Sequence, residues 1–462
     1  MRKITFIAIC AVAHMLLGVN QANAESLVIS SVKELAEAAA ESNNSVKMTP
    51  GVYQLKDYLT SDVIASTPFS DSMKRKAMLL FSGSNNVFDL TGVTLEIDTK
   101  LLAAFDSSIN EIQITGANNL IKGLTVNDIG NNPPSRKGAR SFVITGDNNK
   151  IDGVTLNMGG SHPFGYGDLL GKGSQQVTAL QKHSGLLVEG LCDTIINCKI
   201  YSKSFGHLFF VQGGRDIHFE NCYAEALVRP TDEMLAETSG VAFDIGFKSV
   251  YKNRDGEAKI TSGYVKSLSE CGFRNYGTGG PDKNKTGRVT LVNCKAKNTR
   301  IGFAFTRGAE DMVISDCEAV GCEVGYYLSG AEVRNSRGDA QYGPLMNVVT
   351  LNNTIPCDIE LELMPTASDY TVNCLAAIAG DGHKIKITKY EGLTPEKELP
   401  IMVGMVGPSA NNGFSPMREG KSSNVTIDNQ TGMPIILNAL TSSCYIITDG
   451  KVTDDGISNK IK

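Results

Sequence analysis

Apolar and polar residues alternate along this chain in short runs, and the runs belong to one recurring phrase. A glycine and two or three polar residues lead into a β-branched pair that closes on Asn-Cys or a near equivalent. The phrase reads GSNNVFDLTGVTLEI from Gly83, GANNLIKGLTVND from Gly116 and GDNNKIDGVTLNM from Gly146. It returns as GLCDTIINCKIYS from Gly190, GGRDIHFENCYAE from Gly213 and GAEDMVISDCEAV from Gly308. Period-two alternation bounded by Gly, Asn and Asp predicts short strands, and helical periodicity is nearly absent. A unit this short cannot bury a core alone and must stack on its copies. Propellers and antiparallel sandwiches need a blade period of roughly 40–50 residues or regular hairpin turns. The 23- to 24-residue interval here suits one coil of three strands, each pairing with the coils above and below. The expected fold class is all-β: a single-stranded parallel β-helix, right-handed because parallel crossovers are.

The ends read differently. Arg2 and Lys3, the apolar stretch from Ile4 to Val19 and the small-residue site Ala22-Asn23-Ala24 predict a cleavable signal peptide over residues 1–24. The expectation is a periplasmic or secreted protein with no integral membrane segment in the mature chain. Residues 25–462 then form one β-helix domain with an N-terminal cap at about 25–55. Within that cap SSVKELAEAAAES predicts a short helix started by Ser30 or Ser31, and the repeat continues weakly to near residue 450. Two coils are swollen. The 44 residues from Gly146 to Gly190 include MGGSHPFGYGDLLGKGSQQ, and the interval from Cys222 to Cys271 carries EALVRPTDEMLAETSG and FKSVYKNRDGEAKITSGYVK. Loops on a rigid solenoid are where binding groups are displayed, and these two leave neighbouring coils, so both are expected to wall one cleft.

Composition narrows the partners. Lys and Arg number 44 against 49 Asp and Glu, a net charge of −5 that deepens by two when the leader leaves. There is no basic stripe, which argues against nucleic acid, and local charge must govern any anionic ligand. Cys198, Cys222, Cys271, Cys294 and Cys317 are spaced by 24, 49, 23 and 23 residues, at one phase of the repeat. In-register side chains on stacked strands point the same way, which suits disulfide geometry poorly. These five predict an internal ladder of small buried thiols. Cys192, Cys322, Cys357, Cys374 and Cys444 fall outside it, either free or paired.

With its coil repeat and Asn-Cys ladder, the chain resembles the right-handed parallel β-helix superfamily of carbohydrate-active proteins, which includes pectate lyases, other polysaccharide lyases and several glycoside hydrolases. The resemblance spans nearly all of the mature chain and matches no catalytic signature residue by residue. It implies an exported carbohydrate-active protein with a polysaccharide groove along one face of the helix. Fold alone does not fix an activity.

Candidate chemistry concentrates between residues 160 and 245. Lys182-His183-Ser184-Gly185 and Phe205-Gly206-His207-Leu208 hold nearly equivalent places in successive coils, with the histidines 24 residues apart. The alignment is one residue out of phase, so the two rings either share a sheet face or point to opposite ones. Either could instead bond a backbone carbonyl inside the coil. His162 is a loop candidate, and His218 in DIHFENC reads as structural. The second loop offers Arg229, Asp232, Glu233 and Glu237, with Asp232 and Glu233 individually read as solvated. The next strand brings Asp244 in GVAFDIG, either facing the groove or locked to an arginine. Arg307, after FAFT, projects two or more coils later.

Two chemistries fit. β-Elimination on an anionic, uronic-acid-containing polysaccharide needs a cation to neutralise the carboxylate, a base for the C5 proton and an acid for the departing O4. Arg229 or Arg307, His183 or His207, and Lys182 or Tyr166 supply them; Ca²⁺ could share the neutralising role if Asp232, Glu237 and Asp244 converge. Hydrolysis needs two carboxylates about 5 Å apart if retaining, or roughly 6.5–9.5 Å if inverting. Asp232, Glu233, Glu237 and Asp244 are its candidates. Histidine and arginine enrichment favours the lyase. A zinc site is disfavoured, since the histidines lack a tight His-x-x-x-His spacing. No nucleotide fingerprint occurs, and GTGGPDKNKTG from Gly277 is a loop. A non-catalytic adhesin or glycan-binding solenoid is the third reading. The chain has no Trp, leaving Tyr166, Tyr201, Tyr223 and Tyr276 to stack on sugars. Local clustering of polar groups favours an enzyme.

Overall fold

The recurring phrase is a turn with a strand on either side of it. In the computed structural model, Asn197, Asn221, Asn293 and Asp316 have φ of 56°, 54°, 50° and 56°. Asn and Asp tolerate this left-handed conformation best among residues with a side chain. Their amides also stack: Asn293 Nδ2 donates to Asn221 Oδ1 at 2.7 Å, and Asn221 Nδ2 to Asn197 Oδ1 at 3.4 Å. The other polar pair of the phrase turns inward. Asn86 N–H donates to Asn119 Oδ1, Asn119 N–H to Asn149 Oδ1 and Asn149 N–H to Asp193 Oδ1, at 3.0, 2.9 and 2.7 Å. Each rung thereby satisfies a buried backbone donor of the one before it, which is what the repeated Asn is for.

The structure describes residues 26–130, 138–172, 175–280, 284–306, 311–350, 355–366, 369–394, 397–407 and 416–462. The expected leader and Arg307 lie outside them. Phe88, Ile121, Ile151, Ile195, Phe219, Leu291, Ile314 and Val333 stand over one another in parallel register, all buried. A second sheet of thirteen strands, from Lys76–Phe81 to Val452–Asp454, follows chain order, and each step to the next strand is a crossover through strands of the larger sheet. Inside it the rings of Phe209, Phe273, Phe303 and Tyr326 stack at 4.9, 5.2 and 5.0 Å, close to the distance between neighbouring strands. Parallel pairing reaches Lys460–Ile461, beyond the expected end near 450. The chain is an all-β, right-handed parallel β-helix. No helix among the described residues is long and apolar enough to cross a membrane.

The cap forms as the sequence requires. Helix Val32–Ala40 starts at Ser31, whose Oγ accepts from Glu34 N–H, while Glu34 Oε2 accepts from Ser30 N–H at 2.8 Å. It buries Val32, Leu35, Ala38 and Ala39 in the core that would otherwise end open.

Two local expectations change. The thiol ladder is Cys198, Cys222, Cys294 and Cys317, each beside the next through the paired strands that follow them. Cys271 is not on it. It begins strand Cys271–Tyr276 of the thirteen-stranded sheet and pairs with Ile301, so its sequence spacing was coincidental. Among the described residues no two cysteines are bonded to each other. Asp244 ends a one-turn helix, Val241–Asp244, rather than lying in a strand; Gly240 and Gly246, with φ of 97° and 63°, punctuate that turn. Its side chain is exposed and bears no burial cost.

The two swollen coils pack on each other. Tyr166, Leu169 and Leu170 of the first meet Met234, Ala242, Ile260 and Tyr264 of the second in an apolar cluster separate from the main core. An antiparallel pair, Val228–Pro230 with Val265–Ser267, closes the second loop at its base.

Candidate active site

One step of register separates the two histidines. His183 aligns with Ala139, and Ser184 with Arg140. Leu186 aligns with Phe209, which sets His207 beside Ser184. Successive positions on a strand face opposite ways, and the two rings do so here. His183 is fully buried at the inner corner where strand Thr125–Ile129 turns towards the thirteen-stranded sheet. Its Nε2 lies 3.4 Å from Glu111 Oε1 and 3.1 Å from Ser141 Oγ; its Nδ1 lies 3.5 Å from Asp128 Oδ2 and bonds the Gly159 carbonyl. Burial opposes charge on this ring, but Glu111 and Asp128 outweigh it and lift His183 to about 9. Burial, then the Glu111 charge, pushes Asp128 well above the carboxylate range.

His207 opens to the other side, onto the outer face of the thirteen-stranded sheet. Cys271 N–H donates to its Nδ1, so the ring proton belongs on Nε2, which donates to the Tyr276 hydroxyl oxygen at 2.7 Å. Burial, reinforced by Arg274, Lys182 and Arg300, holds His207 well below the usual imidazole range, so the ring is neutral. Burial lifts Tyr276 to about 12, so it keeps its own proton while accepting from His207. Arg274 stacks on the Tyr276 ring with 4.4 Å to the centroid.

Around this pair lies an ionic network that links both loops to the sheet. Glu270 Oε1 takes Lys182 Nζ at 2.9 Å and Arg300 Nη2 at 3.5 Å, and Glu270 Oε2 lies 3.3 Å from His207 Nε2. Burial would raise Glu270, yet the Lys182 and Arg300 charges hold it well below the carboxylate range. Asp168, from the first loop, meets Lys266 Nζ at 2.9 Å, Arg300 Nη1 at 3.0 Å and the Tyr251 hydroxyl at 2.6 Å. Lys266 Nζ also reaches Glu323 Oε2 at 2.5 Å. Burial lifts Glu323 to about 7 despite that contact. Lys172, near the Tyr251 ring, is lowered to about 8 by burial and then by Arg300. Five cations, Lys172, Lys182, Lys266, Arg274 and Arg300, thus face three carboxylates, a local excess of positive charge within a net-negative chain.

The predicted residues fall into separate groups. Lys182 and His207 meet at Glu270, in the network just described. Arg229, Glu237 and Tyr166 form a clasp between the loops: Arg229 Nη2 and the Tyr166 hydroxyl each reach Glu237 at 2.7 Å, and Arg229 lies 5.6 Å from the Tyr166 ring centroid. Burial and the Glu237 bond lift Tyr166 to about 12. His162 is exposed, its backbone bridged to Gln181. Asp232 Oδ2 accepts from Gly263 N–H at 2.9 Å, and the acidic trio proposed for Ca²⁺ is not brought together as a ligand set. Among the described residues, Glu111, Asp128 and His183 are the group whose ligand atoms do converge, within 4.8 Å of one another.

Sequence reasoning missed Asp168, Lys172, Lys266, Glu270, Arg274, Arg300 and Glu323. A signal was present. Glu270, Arg300 and Glu323 each stand immediately before a strand in successive coils, with Arg300 N–H donating to the Glu270 carbonyl and Val324 N–H to that of Arg300. A column of alternating charge at one repeat position is costly unless it serves a site. A concavity of about 530 Å³ outside the larger sheet, near Lys295, Glu318 and Arg337, is lined by charges already paired at 2.5 and 2.7 Å.

No family model matches the chain, and no curated protein does. Solved structures with a similar winding include the A-module of the Azotobacter vinelandii mannuronan C-5 epimerase AlgE6, at 10% identity and TM-score 0.38 over 93% of this chain and 91% of that one. The alginate lyase AlyF-OU02 is 12% identical, with TM-score 0.42 over 95% and 87%. The catalytic domain of a GH87 α-1,3-glucanase is 10% identical, with TM-score 0.41 over 94% and 70%. At this distance the likeness is one of chain winding, and none of their chemistry transfers with it.

Proposed function

We propose that this protein is a carbohydrate-active enzyme, and specifically a lyase that cleaves a uronic-acid-containing glycan by β-elimination over the outer face of the thirteen-stranded sheet. The observation that carries the reading is the cation excess around a protonated Tyr276 and a Lys172 weakened to about 8. Part-exposed Lys182 and Arg274 hold the sugar carboxylate, and neutralising it makes the adjacent C5 proton removable. The Lys172 amine takes that proton. The freed electron pair forms the C4–C5 double bond, the C4–O4 bond breaks, and Tyr276 gives its proton to the departing O4. His207, donating to the Tyr276 oxygen, stabilises the phenolate left behind. Hydrolysis is less well supported, because Asp168, Glu270 and Glu323 are all engaged by cations.

The test is a panel of uronic-acid polysaccharides, with unsaturated uronate read by ultraviolet absorbance alongside new reducing ends. The expected result is both products in equal number. Reducing ends without unsaturation would make the protein a hydrolase, and binding with neither product would make it a glycan-binding solenoid.

A further inference from the structure

We propose that Glu111, Asp128 and His183 bind one divalent transition cation of the zinc class inside the coil. The proposal is independent of the groove chemistry. A backbone carbonyl only accepts hydrogen bonds, so the contact with Gly159 O places a proton on His183 Nδ1 and directs Nε2 at Glu111 Oε1, 3.4 Å away, and Ser141 Oγ, 3.1 Å away. An imidazole anchored through one nitrogen to a carbonyl, with the other aimed at carboxylates, is the usual posture of a metal-ligating histidine.

The carboxylates supply the second observation. Glu111 is fully buried, and neither of its side-chain oxygens has a hydrogen-bond partner. Asp128 is oriented by Gly159 N–H, which donates to its Oδ2 at 2.7 Å, while its buried Oδ1 also lacks a partner. Three orphaned carboxylate oxygens in one dry corner are a heavy cost for any fold without a cation among them. Without an ion the two carboxylates are balanced only by holding a proton on Asp128 and a second one on His183, and the Nε2–Oε1 contact at 3.4 Å is still not a well-aligned hydrogen bond. A divalent ion neutralises both.

Geometry selects the ion. Two ligands on a tetrahedral ion with bonds of about 2.0–2.1 Å lie about 3.3 Å apart, close to the separation of Nε2 and Oε1. Ca²⁺ prefers six to eight oxygens and would gain little from a nitrogen ligand. Ser141 Oγ is the fourth donor within reach. Glu111, Ser141 and His183 come from three successive strands, Ile109–Ile114, Ala139–Ile144 and His183–Val188, so the ion would tie three coils together where the first long loop departs. The chain passes close by this ring at Gly160, whose φ is 94° and where a Cβ would fall 2.8 Å from Nδ1.

The mature chain would be unfolded in chelator, refolded with Zn²⁺, passed through gel filtration and assayed for bound metal. Close to one zinc per chain is expected, with at least a tenfold loss of retained zinc in Glu111→Gln and in His183→Gln and none in His207→Gln. Failure of the wild-type chain to retain zinc, or equal retention in folded variants, overturns the site. Should those variants not fold, Co²⁺ in the wild-type chain decides: the intense visible bands of a tetrahedral site are expected, and their absence overturns it.

Discussion

A single residue of register decides what each histidine can do. His183 and His207 hold nearly equivalent places in successive coils, yet one faces buried carboxylates and the other a part-exposed tyrosine. The offset was visible in the repeats, but the side chosen by each ring was not, because a half-polar strand start leaves the register weakly specified. Lys182 was legible from its place beside the histidine. Lys172 was not, because what weakens its charge is burial and then Arg300, both brought to it only by the winding. Two outcomes follow at this scale. Tyr276→Phe should lower kcat by about 10²-fold or more with KM nearly unchanged, since it removes only the proton donor. For the base, a lysine lowered to about 8 is inactive when protonated, so kcat/KM should rise with pH through about 8. Steady-state rates from pH 6 to 10 would show that limb, and Lys172→Met should abolish it along with turnover.

At the scale of the strand, the core is built by stacking identical positions. Phe273 lies between Phe209 and Phe303, its ring nearly parallel to both. Phe273→Ala should cost about 3–5 kcal/mol, read as a lower denaturant midpoint, because the rings above and below cannot close the gap. Strand existence was legible because Asn, Asp and Gly mark most turns and β-branched residues fill the runs between. What misled was arithmetic alone: Cys271 fits the spacing of the ladder thiols, but an inserted loop of the wrong length carried it to another sheet. Asp244 misled similarly, because a one-turn helix inside a long loop leaves too few residues for a period to appear.

Over the whole molecule, a solenoid concentrates stress at its ends and chemistry along its side. The capping helix seals the first coil with Leu35, which is fully buried. Leu35→Asp should expose that end and produce self-association on gel filtration, since an uncovered coil offers strand edges and apolar surface to another copy. The side is where the two loops, apolar towards each other, bring Asp168, Tyr251 and Lys266 against Glu270 and Arg300 of the sheet. Residues 98 positions apart in the chain, Asp168 and Lys266, thus share one ion pair. Crystals of the Tyr276→Phe variant soaked with an acidic oligosaccharide would show whether this assembly binds sugar. The expected density is a sugar carboxylate seated between Lys182 and Arg274, with C5 towards Lys172. Sugar density beside Lys295 and Arg337 on the larger sheet, with the His207 face bare, would contradict it.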